Sequence, residues 1–124
     1  MRYDTTNYHP PAPIVDVKVF RPNARTHEVG MGKLDTGADM TVIPVSWVRR
    51  LRLLPSGVVT VTGYDASSAK REIYPVRIEL GRFQFPSLEV LASNREDALI
   101  GRDILNELNV SLNGKELTFE LTDP

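Results

Sequence analysis

Residues 34–39 read LDTGAD, and the chain enters and leaves them through apolar runs. THEVGMGKL (26–34) leads in as a strand, and TVIP (41–44) follows as a short apolar strand stopped by Pro44. No other feature constrains the fold as much. Asp and Gly are common turn residues, but turn aspartates usually sit among polar neighbours. Here the loop is pinned between two core strands. A carboxylate held there is costly unless it is paired, hydrogen-bonded or partly protonated. That is also the setting in which an acid becomes chemically useful. Asp35 is thus either a turn residue or an acid at a functional site.

The rest of the chain supplies more strands. IVDVKVF (14–20) alternates apolar and polar residues, and RPNAR (21–25) is turn chemistry. SWVRRLRLL (46–54) predicts a short helix capped by Ser46, with Trp47, Leu51 and Leu54 on one face. VVTVTG (58–63) and EIYPVRIEL (72–80) read as strands, with YDASSAK (64–70) between them as a long hairpin loop. FQFPSLEVLA (83–92) gives one or two strands, and ALIG (98–101) a short one. RDILNELN (102–109) predicts a helix with Asp103 in its first turn and Ile104, Leu105 and Leu108 inward. VSLNGKELTFEL (110–121) predicts a hairpin about Asn113-Gly114. Residues 1–13 are polar and proline-rich, an extended N-terminal arm, and residues 14–124 form one mostly β domain with one or two short helices.

Composition excludes several classes of function. The chain has 124 residues, no cysteine and a net charge of -1 with acids and bases mixed along it. Disulfides, thiolate nucleophiles and cysteine metal sites are ruled out. Neither a nucleic-acid nor a membrane partner is expected. His9 and His27 lie outside metal-ligand spacing, so no metal or cofactor is expected. RRLR (49–52) reads as the solvated face of a helix. MRYDTTNYHPPAP lacks a signal-peptide core, which with the absence of cysteine favours a cytoplasmic location.

A second motif lies far downstream, where ALIGRDIL (98–105) places a glycine and an arginine after a short strand at a helix start. LDTGADMTVIP followed by ALIGRDIL resembles the retropepsin family, the aspartic proteases of retroviruses and their cellular and bacterial relatives. The resemblance spans residues 14–121. It implies a retropepsin-like acid protease half-barrel with a flap hairpin at 58–80, its tip near Gly63 to Ala69. It implies an aspartic endopeptidase with Asp35 catalytic, Thr36 hydrogen-bonded across a dimer axis and Gly37 giving substrate close approach. Asp39 would pair with Arg102 as structural support. Removing Arg102 would then cost about 3–5 kcal/mol if the pair is deeply buried. Lys33, Ala38, Asp39, Met40, Val42, Gly63, Tyr64 and Leu99 would contact the substrate, an extended polypeptide.

The chemistry needs two carboxylates, one acting as base on water and one as acid toward the carbonyl. One chain holds one Asp-Thr-Gly, so the resemblance implies a homodimer. In the family the termini interleave at that interface, and ELTFEL (116–121), with Leu117, Phe119 and Leu121 on one side, has a fitting pattern. Some positions depart from the retroviral pattern. Lys33 stands where an apolar pocket wall is usual, Met40 where a second acid is common, and the flap loop holds only Gly63. Ala38 has no hydroxyl to give the carboxylates, which favours mildly over strongly acidic working conditions. A rival reading is a retropepsin-like dimerisation or peptide-binding module that cuts nothing. A weaker rival is a plain all-β domain in which Asp35 only turns.

Overall fold

Period-two alternation sets the first strand: Val15, Val17 and Val19 are buried, while Asp16 and Lys18 are exposed. The computed structural model describes residues 1–63 and 65–123. Strand β1 (Ile14–Phe20) pairs antiparallel with β2 (His27–Leu34). Then come β3 (Val42–Pro44), α1 (Val45–Leu51), β4 (Gly57–Thr62), β5 (Ser68–Leu80) and β6 (Phe83–Ser93). β7 (Ala98–Ile100), α2 (Arg102–Leu105), β8 (Asn109–Asn113) and β9 (Thr118–Thr122) complete the order.

β2 and β3 flank the Asp-Thr-Gly loop but do not pair with each other. β7 slots between them, parallel to β2 and antiparallel to β3. The large sheet runs β1-β2-β7-β3-β6-β5-β4, and β1 also pairs with β5. That extra pairing closes all but β4 into a six-stranded barrel, so that among these strands β4 alone keeps a free edge. Val17, Val19, Ile43, Ile78, Val90, Ile100 and Ile104 fill it with no exposure. Where β1 meets β5, the Arg77 guanidinium lies 3.7 Å from the Phe20 ring centre. The β5–β6 register shifts between Val76 and Ile78, where Pro86 and Ser87 stand against Arg77 alone. A proline there has no N–H to lose from the ladder.

Helix α1 rests on β2 through a glycine. A Cβ on Gly30 would fall 2.4 Å from Cζ2 of buried Trp47. Ser46 does not cap this helix; it begins after Pro44 with no side-chain cap. It also ends earlier than its pattern predicts. Arg52 takes φ 52°, and the N–H groups of Arg52 and Leu53 return to the carbonyls of Arg49 and Val48 at 3.2 and 3.0 Å. This left-handed closing turn swings Leu53 inward and leaves Leu54 77% exposed. Leu54 therefore does not share the face of Trp47 and Leu51.

Three other elements differ from the sequence expectation. β5 starts at Ser68, opposite Thr62, so the turn before it spans only 63–67 and not 64–70. In it the N–H and hydroxyl of Ser67 donate to Asp65 at 3.0 and 2.6 Å, holding that carboxyl below its usual range. α2 is one short turn, shorter than 102–109. The last hairpin turns over four residues, with Asn113 opposite Thr118, and not over a two-residue Asn-Gly. The Asn113 side chain accepts the Glu116 N–H at 3.1 Å and Leu117 takes φ 55°, which draws the loop out. Phe119 and Leu121 are buried in this chain's own core, and Leu117 lies in the turn, so the three do not form an open apolar face.

The N-terminal segment runs along β9. The Met1 ammonium donates to the Phe119 carbonyl at 2.9 Å, and the Phe119 N–H donates to the Met1 carbonyl at 2.9 Å. Farther along, the Tyr8 hydroxyl donates to Asp97 at 2.5 Å, and Arg95 pairs with the same carboxylate at 2.8 Å. Burial, then the Asp97 contact, raises the Tyr8 hydroxyl above its ordinary value of 10.0.

Two outcomes follow from this packing. Gly30→Ala forces its methyl into Trp47 and should cost about 1–3 kcal/mol in urea unfolding. Trp47→Leu in that background should recover part of the loss. For Tyr8 the folded value is raised, so its contribution is complete below pH 10 and is lost as pH rises beyond it. Tyr8→Phe should cost about 1 kcal/mol at neutral pH and should flatten the alkaline decline. Urea midpoints of both proteins at pH 7 and about pH 10.5 measure it; parallel declines would refute a stabilising Tyr8–Asp97 hydrogen bond.

Candidate active site

Leu34 ends β2 in the core, and the chain turns at Asp35. The Asp35 N–H donates to the Ile100 carbonyl at 2.9 Å, so β7 holds the loop at its first residue. Inside the loop, Ala38 N–H donates to the Asp35 carbonyl at 3.2 Å, and Gly37 N–H to Asp35 Oδ1 at 2.9 Å. Asp35 is partly exposed, Thr36 and Gly37 are exposed. The carboxylate is therefore aimed and open, although Leu34 before it and Ile43 after it are buried.

The IGRD segment holds the remainder. Arg102 N–H donates to the Ala38 carbonyl at 2.9 Å. The Arg102 guanidinium donates to the Thr36 carbonyl at 2.6 Å and pairs with Asp39. Gly101 has no room for a side chain, since a Cβ would lie 2.7 Å from the Met40 carbonyl carbon. Thr41 is fully buried, and its N–H and hydroxyl donate to the two oxygens of Asp103 at 2.9 and 2.7 Å. Its oxygen accepts the Gly101 N–H at 3.1 Å. The sequence pattern marks Arg102 as a brace, places Asp103 only in the first turn of a helix and assigns nothing to Thr41. The available signal was a threonine opening an otherwise apolar strand.

A cleft of about 460 Å³ separates this loop from β4. Gly37, Ala38, Asp39, Met40 and Val42 form one wall, residues 59–62 the other, and Leu91 is also part of the lining. Leu91 was not expected there; it reaches the site because β6 pairs with β3 and sets it beside Val42. Lys33 and Leu99 do not line this cleft. They are register partners across β2 and β7, and Leu99 pairs in turn with Val42, so the three share the barrel's outer face. Gly63 sits at the end of β4, its N–H donating to the Ser67 carbonyl at 2.8 Å. Tyr64 lies outside the described residues.

This architecture matches solved acid proteases. An EIAV protease solved with an inhibitor is 21% identical with TM-score 0.56, over 77% of this chain and 86% of that one. A retropepsin-like aspartic protease from Rickettsia conorii is 12% identical with TM-score 0.61, over 94% and 87%. The retroviral protease-like domain of Ddi1 from Leishmania major is 14% identical with TM-score 0.50, over 87% of each. No curated protein sequence matches the chain. The fold is retropepsin-like. The sequence profile described as aspartyl protease matches residues 25–104, and the chain belongs to that family.

The exposure of the Asp39–Arg102 pair revises its weight. The Asp39 side chain is 84% exposed and that of Arg102 is 43% exposed, so the deep burial on which a cost of several kcal/mol depends is absent. Water screens such a pair to about 0–1 kcal/mol. Arg102→Ala should therefore shift the urea midpoint of the single chain only slightly. A loss of several kcal/mol would refute the weak, screened pair.

Proposed function

We propose that the protein is an aspartic endopeptidase active as a homodimer, each chain giving one Asp-Thr-Gly loop. The observation that carries this reading is the loop itself, an open Asp35 held at both ends by β7 and α2 in a chain of the aspartyl protease family. One chain has one such loop, and the reaction needs two carboxylates.

In the dimer the two Asp35 side chains face each other on the two-fold axis. At close range they do not both ionise, so the pair shares a proton, as the standard example of aspartic proteases has it. One carboxylate takes a proton from water as it attacks the scissile carbonyl. The other gives a proton to the carbonyl oxygen. Thr36, exposed in the single chain, bonds across the axis, and Gly37 leaves room for the substrate backbone. The β4–β5 hairpin is the flap. A peptide lies extended between it and the loop as an added strand. Ala38, Asp39, Met40 and Val42 contact it in the cleft, with Gly63 and Tyr64 near the flap tip. Lys33 and Leu99 contact it on the neighbouring floor. The apolar Met40, Val42 and Leu99 favour large apolar side chains at the cut, and Lys33 tolerates an acidic one nearby. A cytoplasmic location, without metal or cofactor, belongs to the same proposal.

Dilution tests the reading. Specific activity on a peptide library should fall as concentration drops through the dimer dissociation constant. Asp35→Asn should abolish cleavage while leaving the dimer intact by sedimentation. Full-rate cleavage by a monomer would refute the shared site, and undiminished cleavage by Asp35→Asn would refute the assignment of Asp35.

A further inference from the structure

We infer that Asp103 is a positioning residue for the reaction, acting through Thr41 to fix the loop that carries Asp35; the inference rests on the proteolytic reading above. Asp103 is not one of the residues that line the cleft, and its hydrogen bonds go to Thr41 and Ile104 and not to Asp35. Its carboxylate is nonetheless fully engaged. Oδ2 accepts the Thr41 N–H at 2.9 Å, and Oδ1 accepts the Thr41 hydroxyl at 2.7 Å and the Ile104 N–H at 2.9 Å.

The direction of these bonds matters. The Thr41 hydroxyl has one proton, and giving it to Asp103 leaves its lone pairs free for the Gly101 N–H at 3.1 Å. The chain runs Gly101 N–H to Thr41 Oγ1, then Thr41 O–H to Asp103. Only a group that accepts at both oxygens completes it. An amide at 103 presents its NH₂ either to the Thr41 N–H or to the Ile104 N–H, and in each orientation two donors meet. An unpaired donor in this setting is expensive, since Thr41 is wholly buried.

The bonds span the loop's exit. Asp35 is held at the entrance by Ile100, Ala38 by the Arg102 N–H, and Thr41 by Gly101 and Asp103. The Thr41 carbonyl also accepts the Leu91 N–H at 3.0 Å, which ties the exit to the strand beside the cleft. Loosening Thr41 frees the segment Ala38–Met40, and with it the turn that orients Asp35. Small misplacements of a reacting group are costly in rate, while substrate contacts made along the cleft survive.

The test compares Thr41→Val, Thr41→Ser and Asp103→Asn with the wild type, using purified full-length dimer well below each melting midpoint. Thr41→Val and Asp103→Asn should lower kcat about tenfold to a hundredfold, with KM on one peptide changed by less than about threefold. Thr41→Ser keeps the hydroxyl and should restore kcat. Hydrogen exchange at the Gly37 and Ala38 amides, which bond to Asp35, should quicken in the two impaired variants and not in Thr41→Ser. Normal kcat in the folded variants, or a Gly37–Ala38 exchange rate that does not move, would overturn the inference. Should Thr41→Val fail to fold, the near-isosteric Asp103→Asn carries the comparison. If the wild type itself cuts no peptide, the proteolytic reading falls, and the exchange rates alone decide whether Asp103 fixes the loop.

Discussion

The hold of residues 100–103 on the Asp35 loop is the interaction on which the rest of this structure depends. A loop between two strands that do not pair with each other satisfies its own backbone only in part, as where the Ala38 N–H meets the Asp35 carbonyl. Its polar groups need a partner, and burial makes an unmet group costly. β7 and the first residues of α2 supply that partner, taking Asp35, Ala38 and Thr41 in turn. The sheet order follows from this arrangement. β7 must lie between β2 and β3, so the chain between β3 and β7 must leave, form β4 to β6, and come back. Parallel pairing of β2 with β7 and of β3 with β6 is then possible because long connections separate the partners.

Closure of the barrel gives that hold its rigidity. β1 pairs with both β2 and β5, so the sheet that feeds the loop has no free edge on that side. Trp47 lies on β2 at Gly30, and Ile100 lies on it at Gly32, where a Cβ would come within 3.0 Å. Both glycines face inward beneath the strand that leads to Asp35. The floor cannot shift without disturbing the packing of buried Trp47 and Ile100. β4 and the first residues of β5, by contrast, project beyond the closed ring, with residues Ser68 to Glu72 exposed. Under the proposed function, this rigid floor and projecting hairpin would admit and cover an extended chain.

The ends of the chain are joined to each other as well as to the barrel. Met1 and Phe119 exchange two hydrogen bonds, and Tyr3 packs edge-on against Phe119 at 6.0 Å. β9 thus has β8 on one side and the N-terminal segment on the other. Its apolar residues are committed within the chain. Any sheet built between two copies has to use other groups than the Phe119 and Leu121 side chains.

Local rules made much of this legible in the sequence. Period-two alternation placed β1 correctly to the residue, and apolar runs located β2, β3 and β7, because a strand's burial pattern is written in its neighbours. Asp35 stood out because its carboxylate interrupts a core pattern, and the Asp39–Arg102 pair was readable because both motifs were. Helix and hairpin ends were not readable. They turn on Arg52 and Leu117 adopting left-handed backbone, which neither residue favours and which only the surrounding packing imposes. The exposure of Asp39 was equally hidden, since sequence gives the partner of a charge but not its solvent. Above all, the sequence determined that Asp35 sits on a loop between two strands, which other groups must hold. Only the tertiary structure decided which groups hold it, because Thr41 and Asp103 lie sixty-two positions apart and are brought within 2.7 Å by β7.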